Sequence, residues 1–181
     1  MIHYLNGDAT LPVGKKDEPK IIAHVCNNIG AWGRGFVLSL TQRYPIAEKS
    51  YRNWYQMNEI SDCTKIVPFQ LGCMQLVRAT NDIWIANMIA QHGIKAKDNV
   101  EHIRYEALKD CLSELRLQAR ALLLQLKLDN AVTIHMPRIG CGLAGGTWNK
   151  VEVLIKHAIP DIDVYVYDFV TSDARTFSWN K

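Results

Sequence analysis

The chain has no apolar run near the roughly 20 residues of a membrane-spanning helix. Its first residues, Met1-Ile2-His3-Tyr4-Leu5-Asn6-Gly7-Asp8, carry neither the basic nor the long apolar stretch of a secretory leader. A protein of the cytoplasm, not of a membrane, is the expectation. No CxxC pair occurs, and the five cysteines, Cys26, Cys63, Cys73, Cys111 and Cys141, are odd in number. That disfavours a disulfide framework and a zinc site and leaves reduced, mostly buried thiols. No cluster has metal-ligand spacing, and neither a metal nor a cofactor is expected. Net charge is small, +3, with the basic residues scattered. That excludes a dedicated nucleic-acid binder but leaves lysines free to border an anionic ligand. Internal repeats and low-complexity tracts are missing too.

With 181 residues, 48% of them hydrophobic, the chain can bury the core of one domain. Residues 1–170 read as that domain and 171–181 as a frayed C-terminal tail. Strand patterns lie at Ile2–Leu5, Lys20–Val25, Cys73–Arg78, Ile83–Ala90, Ala131–Met136 and Asp163–Phe169. Helical patterns run over Phe36–Tyr44, Pro45–Tyr55, Ile103–Leu128 and Trp148–Ile159, the last behind a Thr147 N-cap. Asp129-Asn130 closes the long helix. In that helix Leu108, Cys111, Leu112, Leu115, Ala119, Leu122 and Leu126 keep three- and four-residue spacing, which is a core stripe. Strands alternating with helices predict a three-layer α/β fold: a mixed central sheet of about six strands with helices on both faces.

Two glycine-rich loops stand out, each between a strand and a helix. The first is Asn28-Ile29-Gly30-Ala31-Trp32-Gly33-Arg34-Gly35 and the second Arg138-Ile139-Gly140-Cys141-Gly142-Leu143-Ala144-Gly145-Gly146. Neither has the Lys-Ser/Thr pair of a P-loop, and the first is not a clean GxGxxG. Alone, the first fits a phosphate seat or a plain tight turn. As a pair at the carboxyl ends of strands, the two would clasp a diphosphate with backbone N–H groups. Asp8 would sit at the same edge, either accepting hydrogen bonds from an adenine amino group or serving as the turn residue of Asn-Gly-Asp.

Gly7-Asp8-Ala9-Thr10, His24-Val25-Cys26-Asn27, Gly33-Arg34-Gly35 and Pro137-Arg138-Ile139-Gly140-Cys141-Gly142-Leu143 resemble the macro domain, in order, from Met1 to about Phe169. With Arg43-Tyr44-Pro45 and Ala47-Glu48-Lys49, the stretch from His24 to Phe36 is similar to the yeast-type ADP-ribose-1''-phosphate phosphatases. The run Met136 to Leu143 is similar to the terminal ADP-ribose protein glycohydrolases of the same branch. The resemblance implies that Asp8 holds adenine with Ala9 beside it, and that Asn27 sits beside the distal ribose. Gly30, Ala31, Trp32, Gly33, Arg34, Gly35 and Phe36, with Pro137, Ile139, Gly140, Cys141, Gly142, Leu143 and Ala144, would wrap the diphosphate and distal ribose. Tyr167 or Phe169 would border adenine.

The glycohydrolases use a lysine after the central strand and an aspartate after Gly-Cys-Gly-Leu; Gln91 and Ala144 occupy those positions here. Two readings of Lys95 and Lys97 stand: a substitute for that lysine, or solvated surface. The phosphatases carry a histidine at the position of His24. The implied function is a hydrolase acting at the distal ribose of ADP-ribose-1''-phosphate or of ADP-ribosylated protein or nucleic acid, with His24 passing protons and Asn27 orienting the sugar. The alternative is a reader that binds ADP-ribose without turnover; under either reading a monomer is expected.

Overall fold

The computed structural model describes residues 1–60, 67–94, 101–127 and 132–169. The predicted end of the long helix at Leu128 to Asn130, Ala131, Cys63, Lys95, Lys97 and the tail from 171 lie outside them. Six strands, β1 (Ile2–Asn6), β2 (Lys20–Asn27), β3 (Met74–Arg78), β4 (Ile83–Gln91), β5 (Thr133–Pro137) and β6 (Val164–Asp168), form one sheet in the order β1-β6-β5-β2-β4-β3. All neighbours are parallel except β3, which pairs antiparallel with β4 at the edge. The helices are α1 (Phe36–Arg43), α2 (Pro45–Ile60), α3 (Tyr105–Leu126) and α4 (Trp148–Ala158).

The burial pattern explains the layers. In β2 and β4 nearly every residue is buried, as in a central strand covered on both faces. Side-chain direction alternates along a strand. Ile21 and Ala23 therefore join the core of Leu108, Leu112, Leu115, Val151 and Ile155 from α3 and α4. Ile22 packs with Leu40 and Ala47, and Cys26 with Tyr51 and Trp54, beneath α1 and α2. The predicted three-layer mixed sheet is present.

The long helix begins at Tyr105. Ile103 instead makes an isolated bridge with Gln91. Pro45 begins α2, where its missing N–H costs nothing. Thr147 stands at the N-cap of α4 as expected, but its side chain makes no capping bond. No helix of the described residues is long and apolar enough to cross a membrane.

One feature of the pairing creates the crevice. β2 and β5 are in register only at Lys20↔Thr133, Ile21↔Ile134 and Ile22↔His135. Beyond that, β2 stays with β4 as far as Asn27↔Gln91, and β5 stays with β6 as far as Pro137↔Tyr167. The chain leaves these two strands in opposite directions, so the sheet divides at their carboxyl ends. Such a switch point is where open α/β sheets bind ligands.

Candidate functional site

The two glycine loops emerge on either side of this division and meet across it. A Cβ added to Gly35 would lie 3.5 Å from Leu143 Cδ1.

The first loop is built on Asn27. Its Oδ1 accepts from the N–H groups of Ile29 (3.1 Å) and Ala31 (3.0 Å), and its Nδ2 donates to Ala31 O (2.6 Å). The buried Tyr51 hydroxyl donates to Asn27 O at 2.6 Å. Arg52 reaches the Gly30 and Trp32 carbonyls at 3.4 and 3.3 Å. Trp32 Nε1 donates to Thr41 Oγ1, which donates to Glu48, and Glu48 in turn holds Arg52 at 2.9 Å. The loop is thus tied at both ends to one face of α1 and α2. Gly30 has φ 69°, and a Cβ there would stand 2.5 Å from the Tyr55 ring, so only glycine fits.

The second loop closes on itself, with Gly146 N–H on Gly140 O (2.8 Å) and Gly145 N–H on Gly142 O (3.0 Å). Arg138, its first residue, is forked onto Asp168 at the end of β6 (2.6 and 2.8 Å). Its guanidinium also stacks 5.2 Å from the Trp148 ring and 5.6 Å from Tyr4. Among the described residues, the backbone N–H groups of Trp32 to Phe36, and those of Gly142 to Ala144, make no hydrogen bond. Both loops therefore offer donors, and α1 opens at Phe36 with its positive end beside them.

The expected site residues fall into three groups. Gly30 to Phe36 and Ile139 to Ala144 line the two loops, with Pro137 at the end of β5; Leu143 is largely exposed. Asp8 lies two residues beyond the end of β1 (Ile2–Asn6). Its Oδ1 accepts from Thr10 N–H and Oγ1, both at 2.8 Å, which is the turn role; Ala9 beside it is buried. Phe169 is exposed, whereas Tyr167 is buried. Tyr167 Oη accepts from Val13 N–H at 3.0 Å and pairs with His135 Nδ1 at 2.9 Å, so its hydroxyl is committed within the fold.

His24 is the main departure. It shares the pleat of Ile22 and Cys26 and points under α1, with 2% of its surface exposed. Trp32 packs edge-on against it at 5.4 Å and Phe36 at 6.0 Å. Asn87 Nδ2 donates to Ala47 O and Gln75 Oε1, so Asn87 Oδ1 accepts the His24 Nε2 proton at 2.7 Å. Burial pushes the His24 pKa down to about 4. A neutral imidazole roofed by two aromatics is shut off from solvent in this structure, and it packs beneath the first loop.

Asn27 is likewise committed mainly to the loop. Gln91 Nε2 donates to Gly93 O, and Ala144 O accepts from His102 and Ile103 N–H. Burial raises the Cys141 thiol to about 11, so it is protonated at neutral pH. Sequence reasoning missed Tyr51, Arg52, Asn87 and His102.

A separate groove of about 650 Å³, lined by Val13, Lys15, Lys16, Lys20, Tyr44 and Asp82 among others, lies where β2 begins. It shares no residue with either loop, and its most buried cation, Lys20, is already bonded to Lys15 O, Glu18 O and Asp82. The glycine loops remain the candidate site.

No family model matches the chain. A solved protein of unknown function from Bacteroides thetaiotaomicron is 41% identical, with a TM-score of 0.78, covering 94% of this chain and 98% of that one. The macrodomain protein of Streptomyces coelicolor is 40% identical, with a TM-score of 0.74, covering 93% and 99%. A curated relative from Lodderomyces elongisporus, named ADP-ribose 1''-phosphate phosphatase, is 27% identical over 172 residues, 92% of this chain and 99% of the relative. With the divided sheet and the two facing glycine loops, the 40% identity across nearly the whole of the Streptomyces protein leaves one assignment: the chain belongs to the macrodomain family.

Proposed function

We propose that this chain binds ADP-ribose in the crevice between the two glycine loops and hydrolyses a bond at the distal ribose. ADP-ribose 1''-phosphate is the first substrate to test. The observation that carries the reading is the meeting of two donor-rich loops across the β2/β5 division, with Gly35 against Leu143. A diphosphate is the anion whose length and charge such a clasp suits. The relatives named for phosphatase activity support the choice of substrate. ADP-ribosylated protein or nucleic acid is the wider substrate class of the same reading.

In this reading Asp8 accepts from the adenine amino group, Phe169 borders the base, and the loops hold the diphosphate. Asn27 and His24 act as positioning residues, the first shaping the loop and the second bearing Trp32 and Phe36. Positioning alone is a substantial source of rate.

The test is titration calorimetry with ADP-ribose and phosphate release from ADP-ribose 1''-phosphate. A Kd near 1 µM, about −8 kcal/mol, is expected. Asp8→Asn sharpens it: the amide keeps an oxygen for Thr10 but presents NH₂ where adenine needs an acceptor. A tenfold or greater loss of affinity with unchanged stability is expected; unchanged affinity would place adenine elsewhere. Gln91 and Ala144, in place of a lysine and an acid, favour a second reading, a module that binds ADP-ribose without turnover. Binding with no product after exhaustive incubation would select it.

A further inference from the structure

A chain of contacts joins the two loops across the end of β4. Asn28 N–H donates to Gln91 O (3.0 Å), His92 N–H to His102 O (2.8 Å), and His102 N–H to Ala144 O (2.9 Å). The His92 side chain is exposed at this bridge, and that of His102 is buried.

The bonds fix the protons. Asn28 Oδ1 accepts from Gly93 N–H at 3.0 Å, so Asn28 Nδ2 is the atom 3.2 Å from His92 Nδ1, and it donates. His92 Nδ1 is therefore an acceptor, and its neutral ring carries the proton on Nε2. His102 Nδ1 lies 2.9 Å from His92 O, a carbonyl that only accepts, so that nitrogen carries the proton. His102 Nε2 is left as a buried lone pair without a partner among the described residues. Unpaired buried polar atoms are rare in folded proteins and call for a ligand or a water.

We propose that His92 is a further substrate-contacting residue. Its Nε2–H donates to an anionic oxygen of the phosphate ester on the distal ribose, and Asn28 and His102 position it. The proposal rests on the ADP-ribose reading of the crevice. It supplies a donor at the loop-to-loop bridge, one residue beyond Gln91, whose own amide is committed to Gly93. The other titratable groups on the segment packed against His92 are Glu101, His102 and Arg104; Arg104 is bonded to the Glu101 and Ile103 carbonyls. Among the described residues, no carboxylate bonds to His92.

The experiment uses the full chain and two ligands, ADP-ribose and ADP-ribose 1''-phosphate. Nitrogen-15 spectra of the histidine side chains should show His92 as the Nε2–H tautomer. His92→Ala should leave ADP-ribose affinity within threefold of wild type. It should lower kcat/KM for the phosphate ester at least tenfold, or its affinity by the same factor if no phosphate is released. His92→Gln, which keeps an N–H donor, should recover part of that loss. An Nδ1–H tautomer overturns the proposal. So does a His92→Ala protein that handles the ester like a wild type that binds both ligands. A wild type that binds neither ligand overturns it together with the function on which it rests.

Discussion

Arg138 Nε and Nη2 hold the two carboxylate oxygens of Asp168 at 2.6 and 2.8 Å, joining the start of the second glycine loop to the end of β6. Both side chains are about two-fifths exposed, so solvent screens the pair. Its net contribution to stability is about 1 kcal/mol or less. Its larger effect is on geometry, because a fork fixes direction as well as distance. Arg138→Lys keeps the charge but loses the fork and the stacking on Trp148. Several-fold weaker ADP-ribose binding with a nearly unchanged melting temperature is expected. Wild-type affinity in Arg138→Lys would show that the loop holds its shape unaided.

The buried histidines give the protein a particular acid response. An unfolded histidine titrates near 6.5, His24 near 4 and His135 near 3, both lowered chiefly by burial. Below pH 6.5 the unfolded chain therefore binds protons that the folded chain refuses, and stability falls as pH falls, by about 1.4 kcal/mol per unit for each group. Above pH 7 neither contributes a slope. For His24 alone, the loss from pH 8 to pH 5 is about 2 kcal/mol. His24→Gln should remove that share of the decline, measured by urea unfolding at the two pH values. An identical decline in the mutant would mean that His24 is accessible in the folded protein. The same mutant should lose ADP-ribose affinity and rate together, because Trp32 and Phe36 rest on the ring; a loss of rate alone would restore a chemical role.

The two loop glycines separate backbone strain from ligand approach. Gly35 has φ 71° and ψ −143°, a region nearly closed to other residues. Gly35→Ala should cost about 1–3 kcal/mol of stability. Gly142 has an ordinary φ, and a Cβ there meets nothing within 4 Å. Gly142→Ala should fold with stability changed by about 0.5 kcal/mol or less. If the diphosphate packs on this backbone, Gly142→Ala still loses tenfold or more in ADP-ribose affinity. Full affinity would move the diphosphate toward Gly35.

Much of this arrangement was legible in the sequence. The continuous apolar runs of β2 and β4, the α3 stripe and the start of α2 at Pro45 mark local physics, and local physics decides where elements begin. The pleat of His24 was readable as well: it has the parity of Ile22 and Cys26, and both pack beneath α1 and α2. The family pattern points the residue toward catalysis, whereas its parity alone predicts the burial that the structure shows. Other features depend on distant partners. The division of β2 from β5 is a matter of register between strands more than 100 residues apart. Tyr51 and Arg52 sit in a helix whose polar face reads as solvated until its loop partners are seen. The boundary at Ile103 differs because its pairing with Gln91 outcompetes an extra helical turn.

Asn27 provides the most direct test of how the first loop is made. Its Oδ1 serves Ile29 and Ala31 N–H, with the Tyr51 hydroxyl also within 3.2 Å, and its Nδ2 serves Ala31 O at 2.6 Å. The residue is 8% exposed, so groups left behind by truncation have little access to water. Asn27→Ala should destabilise by about 2–3 kcal/mol, the range for stranding buried donors and acceptors. Asn27→Asp retains the acceptor for both N–H groups but sets a carboxylate oxygen against Ala31 O, and the deep site disfavours its charge. Raising pH through the carboxylate range should therefore destabilise Asn27→Asp relative to wild type, with the gap closing again in acid as the group takes its proton and donates to Ala31. Unfolding curves from pH 4 to pH 8 would display the crossover. A pH-independent gap would mean that the loop relaxes to accommodate the charge. In that case Asn27 would be free to turn toward the distal ribose, as the family pattern implied.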